Sequence, residues 1–230
     1  MIARSKRYKN SVKNFSVDDE LSLVDALGRL ETFGKTKFDE TVELSFSLGV
    51  DPKQSSLAVR GTVNLPHGSG KEIKVLVFTE KPDEALSAGA DMAGLEELIS
   101  KIKDGWMDFD VAVSTTGAMK SVRSIARVLG PRGLMPTPKA GTVTDDIAEA
   151  VNAVKAGRVE FKMDKTGSLA VVIGKRSFSQ EQLQENANSA LEAVMGSRPE
   201  GLKGRFVKTI YISSTMSPSV RIDRSSIAQS

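Results

Sequence analysis

The sequence predicts an α/β fold in two domains, with the middle of the chain inserted into a domain formed by its two ends. Alternating apolar and polar residues mark strands at both ends, whereas continuous apolar strands alternate with helices in the middle. The second pattern is typical of parallel strands buried in an open α/β sheet. Neither end is long enough for a good core alone, so we expect 1–67 and 159–230 to form one discontinuous domain around 68–158.

The chain begins with a basic segment. Such a segment is either a solvated tail or an arm that lies on phosphate, and the sequence leaves both interpretations open. The cations that precede the first acid, Asp18, are Arg4, Lys6, Arg7, Lys9 and Lys13.

A helix and two strands are predicted next. Ser16 is a candidate N-cap, and the acids at 18–20 would face the positive end of a helix that Gly34 ends. These acids therefore need no catalytic role. Strict alternation predicts a strand over 41–48, and a second strand follows over 57–65.

The middle predicts alternating strands and helices. Pro82 with two following acids begins one helix, and the acids at 145–146 cap another that runs to Lys155. Apolar runs predict strands over 73–78 and 109–113, and helices over 94–103 and 122–129.

Strands return in the last part of the chain, over 169–173 and 206–212. Between them, Ser179 and Gln182 have the spacing of a capping box, and Gly196 ends the helix that they begin.

Composition and charge exclude several classes of functional site and favour one domain for binding a polyanion. The chain has no Cys and one His, which excludes disulfides, thiolate metal sites and multi-histidine metal sites. The two ends together carry a net charge of +4, and 68–158 carries −1. The discontinuous domain is therefore the better candidate to bind a polyanion.

No catalytic set and no metal site emerge from the sequence. Asp108, Asp110 and the acids at 145–146 are interpreted as strand-end and helix-cap acids. The run Gly-Ser-Gly-Lys at 68–71 hints at a phosphate loop, but Leu65 stands where the first Gly is required and Glu72 follows the Lys. We favour a hinge there; nucleotide binding by an α/β enzyme remains the alternative, and a protein-interaction scaffold is a third class.

The loop over 130–141 contains three prolines and three glycines, and no acid occurs from 111 to 144. Such a rigid basic loop is either a phosphate-contact surface or an elaborate connection with a solvated face. The cations of this acid-free stretch are Lys120, Arg123, Arg127, Arg132 and Lys139.

Two further segments are candidates for nucleic-acid contact. Phe38 lies among cations at a strand entrance, where an exposed ring could stack on a base or sugar, although a Phe more often joins the core. The hydroxyl-rich segment 213–219 could donate to phosphate and 2′-hydroxyl oxygens, or could be an ordinary polar turn.

Six long motifs occur in order along the chain. They are KFDETVE (37–43), RGTVNLPHG (60–68), DGWMDFD (104–110), LGPRGLMP (129–136), PKAGTV (138–143) and DKTG (164–167). These motifs resemble the bacterial ribosomal protein L-one family of the large subunit. The matching stretches continue to 218–221, so the resemblance covers nearly the whole chain.

The resemblance implies a discontinuous α/β RNA-binding domain with an inserted Rossmann-like three-layer α/β domain. It implies a cytoplasmic, monomeric protein without enzymatic activity, cofactor or membrane contact, which binds 23S rRNA at the mobile stalk beside the exit site. It further implies assistance in releasing deacylated tRNA, and repression of translation through the protein's own operon messenger RNA. The implied hinge residues are His67, Gly68, Gly157 and Arg158.

Carried over to this sequence, the rRNA surface comes from three segments. The basic stretch of the inserted domain, Lys120 to Lys139, is the candidate tRNA-facing surface. The RNA-binding residues that the resemblance implies are Lys37, Phe38, Thr41, Glu43, Lys165, Thr166, Ser168, Thr215, Met216 and Ser217.

Two positions depart from the family's usual pattern. Ser217 stands where Gly is common, which puts a close backbone approach there in question. Ala170 stands where His is common, so any contact of that His is absent.

Overall fold

The computed structural model describes residues 5–13, 16, 19–52, 54 and 57–223, without the side chain of Lys139. Arg4 and Asp18 lie outside the described residues. The chain divides into two compact units: unit 1 holds the described residues up to Gly70 and from Val159 onward, and unit 2 is Lys71–Arg158. No helix within the described ranges is long and apolar enough to cross a membrane.

The elements alternate along the chain. The strands are β1 (Glu20–Leu21), β2 (Thr41–Leu48), β3 (Arg60–Asn64), β4 (Val75–Phe78), β5 (Met92–Gly94), β6 (Val111–Ser114), β7 (Arg158–Lys162), β8 (Ser168–Lys175), β9 (Val207–Ser214) and β10 (Val220–Ile222). The α-helices are α1 (Lys6–Val12), α2 (Leu23–Thr32), α3 (Pro82–Ser87), α4 (Glu96–Lys103), α5 (Met119–Val122), α6 (Ala126–Leu129), α7 (Ile147–Lys155) and α8 (Gln180–Gly196).

Unit 1 is built on a five-stranded sheet with the order β1-β10-β9-β2-β8, beside a two-stranded sheet of β3 and β7. Strand β2 pairs antiparallel with β8 on one side and β9 on the other. Its alternate apolar residues are buried against the apolar faces of α2 and α8. The remaining side chains of β2 are half-exposed on the opposite face of the sheet, because successive side chains of a strand point to opposite sides.

Unit 2 is a three-layer α/β unit. Strand β4 lies between β5 and β6, and both pairings are parallel. Val75 and Val77 pack with α3 and α7, whereas Leu76 and Phe78 pack with α4, α5 and α6. Both faces of the sheet are therefore covered, which explains the continuous apolar run of β4. The predicted α/β fold class is confirmed.

The predictions of secondary structure are correct where the whole sequence pattern lies within one element. Strand β2 has the predicted bounds, and Ser179 and Gln182 form the capping box of α8. The predicted start of α2 is wrong: Ser22 caps this helix, and Glu20–Leu21 pairs in parallel with β10. Strand β5 was also not predicted; it ends at Gly94, the first residue of the segment that we expected to be helical, and helix α4 begins at Glu96.

Candidate nucleic-acid interface

One end of the unit 1 sheet brings together residues from distant parts of the chain. Thr41, at the start of β2, pairs with Lys175 at the end of β8, and Val42 pairs with Ser214 at the end of β9. The main-chain N–H of Thr41 donates to Oγ1 of Thr215 over 3.0 Å, and the N–H of Thr215 donates to the Thr41 carbonyl over 3.0 Å. The segments around Thr41 and Thr215 are thus joined directly.

Two large apolar side chains are exposed at this end. Phe38 is 55% exposed and Met216 is 51% exposed, so Phe38 does not join the core. The loop that carries Phe38 is held in place by hydrogen bonds. Thr36 Oγ1 donates to the Phe38 carbonyl, and the carboxylate of Asp39 accepts from both the N–H and the hydroxyl of Ser177. Lys37 is exposed in the same loop.

A buried ion pair lies at the base of this loop. Arg176 Nη1 donates to Glu40 Oε2 over 2.9 Å, and the hydroxyl of Ser214 donates to the same oxygen. Burial raises the pKa of the Glu40 carboxyl, but the hydrogen bonds from Ser214 and Arg176 outweigh burial and hold the pKa below its ordinary value. The sequence did not indicate Arg176, because no pattern in the neighbouring residues distinguishes it from the other cations.

The turn after β9 accommodates Ser217 without strain. Every described residue with a positive φ is a glycine, so Ser217 does not adopt the left-handed conformation that Gly would permit. Its hydroxyl accepts from the N–H of Ser214 over 2.9 Å, and its own N–H donates to the Ser214 carbonyl. The side chain of Ser217 therefore closes the turn that carries Thr215 and Met216.

The other predicted contacts lie at the opposite end of the sheet. Asp164 Oδ1 accepts from the N–H groups of Thr166 and Ser168, which fixes an exposed turn containing Lys165. Hydrogen bonds from Thr166, and then from Ser168, hold the pKa of Asp164 below its ordinary value. Ser168 pairs with Ser47, and the six residue steps from Thr41 to Ser47 span roughly 20 Å of strand. The predicted RNA-binding residues thus form two groups.

The half-exposed face of the sheet connects the two groups. Its middle carries side chains from β2, β8 and β9. Glu43 pairs with Ser213 and Val172, and Ser45 pairs with Tyr211 and Ala170. Sequence reasoning identified Glu43, and Ser213 as part of the segment 213–219, but missed the other face residues, although the polar positions in the alternation of β2 and β9 could have indicated them. The face residues that were missed are Ser45, Ser47, Thr209 and Tyr211.

In unit 2 the predicted basic residues share an exposed surface. Lys120, Arg123 and Arg127 lie three and four residues apart along α5, a 3₁₀ turn at Arg123–Ile125, and α6, so they point to one side. Arg132 is also exposed. Within the described part of the chain, none of these four cations forms an ion pair with an acid. Lys139 was also predicted to face tRNA, but its side chain is not among the described parts of the structure.

Two of the predicted hinge residues, His67 and Gly68, are held by hydrogen bonds to the buried side chain of Asn186. Asn186 is fully buried in α8; its Oδ1 accepts from the N–H of His67, and its Nδ2 donates to the carbonyls of Gly68 and Ile173. His67 Nε2 also lies 2.6 Å from Glu185 Oε2. On the other crossing, Gly157 has a φ of 107° directly before Arg158 begins β7.

Neither a phosphate loop nor a metal site is formed by the residues that the structure describes. The element that follows Gly70 is β4, whereas a phosphate loop leads into a helix. No group of three His, Cys, Asp or Glu side chains within the described ranges could hold a metal ion.

Comparison with known proteins places the chain in the class of ribosomal proteins. Residues 30–218 match the Ribosomal protein L1p/L10e family. The chain is 48% identical to the large ribosomal subunit protein uL1 of Kosmotoga olearia over the full length of both. It is 51% identical to the protein of the same name from Persephonella marina, over 100% of this chain and 98% of the relative. A third relative of that name, from Nocardioides sp., is 48% identical over 96% of this chain and 92% of its own length.

The chain therefore belongs to the Ribosomal protein L1p/L10e family, and the predicted resemblance is confirmed. This family consists of structural RNA-binding proteins, so the alternative of a nucleotide-dependent enzyme is set aside.

Proposed function

We propose that the chain is a structural constituent of the large ribosomal subunit, located in the cytoplasm, and that unit 1 binds 23S rRNA at the stalk beside the exit site. The observation that carries this proposal is the end of the sheet where Phe38 and Met216 are exposed on either side of the hydrogen-bonded Thr41 and Thr215. Exposed apolar groups beside fixed hydroxyls suit RNA, because its sugars and 2′-hydroxyls can meet both.

The residues divide into three roles. Phe38 and Met216 shield sugars from water, which strengthens the hydrogen bonds beside them. Hydroxyls from Thr41, Thr215, Ser217, Thr166 and Ser168 bond to 2′-hydroxyls or phosphate, and Glu43 orients neighbouring donors. Lys37 and Lys165 neutralise phosphate at the two ends of the sheet. The spacing between the two ends then selects the shape of a folded RNA and not its base sequence.

Two regulatory roles extend the proposal. A similar structure in the protein's own operon messenger RNA binds the same face, and the free monomer thereby represses translation. In the ribosome, swinging of unit 2 about His67, Gly68, Gly157 and Arg158 assists release of deacylated tRNA. The exposed cations of α5 and α6 favour this role, because their charge has no acidic partner among the described residues.

The central experiment measures binding to a stalk-base fragment of 23S rRNA and to a random hairpin of equal length. We expect the fragment to bind at least ten times more tightly than the hairpin, and Phe38→Ala and Met216→Ala each to weaken it by about tenfold. Met195→Ala is the matched control, since Met195 is 48% exposed on α8. Equal binding of both RNAs, unaffected by either change, would refute the assignment.

Separate measurements test the two extensions. Changing Lys120, Arg123 and Arg127 to Glu should slow release of exit-site tRNA from assembled ribosomes while leaving rRNA binding unchanged. Normal release of tRNA would refute the proposed role of unit 2 in tRNA release.

Phe38→Ala should relieve repression of a reporter that carries the operon leader. Unchanged repression would show that the messenger RNA does not bind this face of unit 1.

A further inference from the structure

We infer that Arg176 is the positioning residue of the RNA site: it does not touch RNA, but its guanidinium fixes the loop that carries Phe38 and, through Glu40, the turn that carries Thr215. The inference rests on the proposed function, because it concerns the same site. Only 9% of the Arg176 side chain is exposed, so its charge is nearly inaccessible to a phosphate. Neither composition nor the family resemblance singled out this residue.

The guanidinium joins the end of α2 to the loop that carries Phe38. Nη2 donates to the carbonyls of Leu30 and Phe33, and Nη1 donates to the carboxylate of Glu40. The main-chain N–H of Arg176 also donates to the Glu40 carbonyl over 2.8 Å. The loop from Phe33 to Glu40 is therefore held at both of its ends by one residue.

This arrangement suits an arginine specifically. The last carbonyls of a helix lack partners within the helix and carry partial negative charge, which a cation stabilises. A planar guanidinium directs several donors at fixed angles, whereas a lysine ammonium is a compact point charge. A lysine at position 176 can keep the ion pair with Glu40 but cannot hold both carbonyls of the α2 end at once.

Glu40 extends the connection to β9. The hydroxyl of Ser214 donates to the Glu40 oxygen that accepts from Arg176, and Ser214 is buried directly before Thr215. Thr41 follows Glu40 at the start of β2. Phe38, Thr41 and Thr215 are thus each within two residues of a group in this network.

The buried ion pair of Arg176 and Glu40 is better suited to fixing the loop than to stabilising the fold. Burying an ion pair costs desolvation that nearly cancels its attraction, so such a pair adds little stability compared with an apolar replacement. Fixing a loop in its binding conformation instead lowers the entropy lost when RNA binds. The network lies at the end of the sheet that carries Phe38, Thr41 and Thr215, so the smaller entropy loss applies to residues that contact RNA in the proposed function.

The test uses the full-length chain and the stalk-base fragment, at a temperature where circular dichroism shows every variant folded. Arg176→Lys is the main variant because it keeps the charge and the pair with Glu40. We expect about a tenfold loss of affinity, or roughly 1.4 kcal/mol, with an unchanged salt dependence because no phosphate contact is removed. Amide hydrogen exchange over 34–40 should become faster, while that of the β2 interior stays unchanged.

Arg60→Lys is the matched control. Arg60 pairs with Glu160 between β3 and β7, away from this end of the sheet, so we expect affinity within twofold of wild type. A double-mutant cycle with Phe38→Ala measures the coupling between the two residues in RNA affinity. A purely structural role of Arg176 would give no such coupling. If Arg176 acts by positioning Phe38, Arg176→Lys costs much less affinity once Phe38 is alanine.

Two outcomes would overturn the inference. One is normal affinity of Arg176→Lys; the other is an affinity loss that adds fully to that of Phe38→Ala. Failure of the proposed function looks different, because Phe38→Ala would then leave the affinity of the otherwise wild-type chain unchanged.

Discussion

Thr41 and Thr215 lie 174 residues apart in the chain, yet each is a hydrogen-bond partner of the other's main chain. The hydroxyl of Thr41 also accepts from Lys175 Nζ over 2.8 Å. The hydroxyl of Thr215 accepts from the N–H of Thr41 and also donates to its carbonyl over 3.4 Å, so both hydroxyls are held in place and retain acceptor capacity toward solvent. At the residue scale, the proposed site consists of side chains that are already oriented before RNA arrives.

Thr215→Ala and Lys165→Ala should differ in their salt dependence. Loss of the Thr215 hydroxyl removes a neutral hydrogen bond, so we expect weaker binding with the same slope of log affinity against log salt. Loss of Lys165 removes a phosphate contact and should reduce the slope by about 0.7–0.9. Binding titrations between about 50 and 200 mM salt measure both. Equal slopes for the two variants would contradict the roles assigned here.

Glu40 should make the fold sensitive to acid. Its pKa is lowered in the folded state, so its stabilisation is fully present above the ordinary value of 4.5 and is lost as the pH falls through the folded-state pKa. Glu40→Gln should cost about 3 kcal/mol of unfolding free energy at pH 7, because Arg176 loses its buried partner. Urea denaturation at several pH values should show the gap between the two proteins shrinking below about pH 4.5. A gap that is constant with pH would refute this role.

The family resemblance predicted Phe38 and Thr215 as RNA-binding residues, but it gave no indication of Arg176. The partner of Arg176, Glu40, is 136 residues away, and burial that results from such a contact leaves no local pattern. Phe38 was ambiguous for the same reason, because an aromatic residue at a strand entrance can face either side.

At the scale of elements, the start of α2 is decided by a capping hydrogen bond. The hydroxyl of Ser22 accepts from the N–H of Asp25, whereas Ser16 lies before β1. We expect Ser22→Ala to cost about 1 kcal/mol of unfolding free energy, and more than Ser16→Ala, because Ser22 is the residue that caps α2. Urea denaturation of both variants measures this. A larger cost for Ser16→Ala would restore the helix start predicted from sequence.

Local signals could not separate these alternatives. Acids follow both serines, and Glu20–Leu21 is a strand of two residues that depends on pairing with β10, about 200 residues later in the chain. By contrast, β2 and α8 were predicted with correct bounds, since alternation and the capping box are complete within each element.

Asn186 anchors the segment where the chain leaves unit 1. Asn186→Leu would leave the N–H of His67 and the carbonyls of Gly68 and Ile173 without their partner. We expect a loss of about 3 kcal/mol in unfolding free energy, since each buried unpaired group costs about 1–3 kcal/mol. Asn152→Leu, at an exposed position of α7, is the control and should change stability by less than about 0.5 kcal/mol. Equal effects of the two changes would contradict the anchoring role.

At the scale of the whole molecule, the two units use opposite sheet designs. Unit 1 leaves one face of a mostly antiparallel sheet half-exposed, whereas unit 2 covers both faces of a parallel sheet. The sequence predicted this difference, because alternation and continuous apolar runs are distinct patterns. It did not predict that Lys165 and Phe38 lie at opposite ends of one sheet, since that depends on the antiparallel register of β2 with β8.

We propose that the RNA site belongs to unit 1 alone. Strands β3 and β7 are hydrogen-bonded neighbours, so a flexible linker of about eight residues can replace 71–158. The most direct measurement compares the affinity of this shortened chain and of the intact chain for the stalk-base fragment. Affinities within about threefold, less than about 0.7 kcal/mol, are the predicted result. A loss of more than about tenfold in a shortened chain that circular dichroism shows to be folded would contradict the claim.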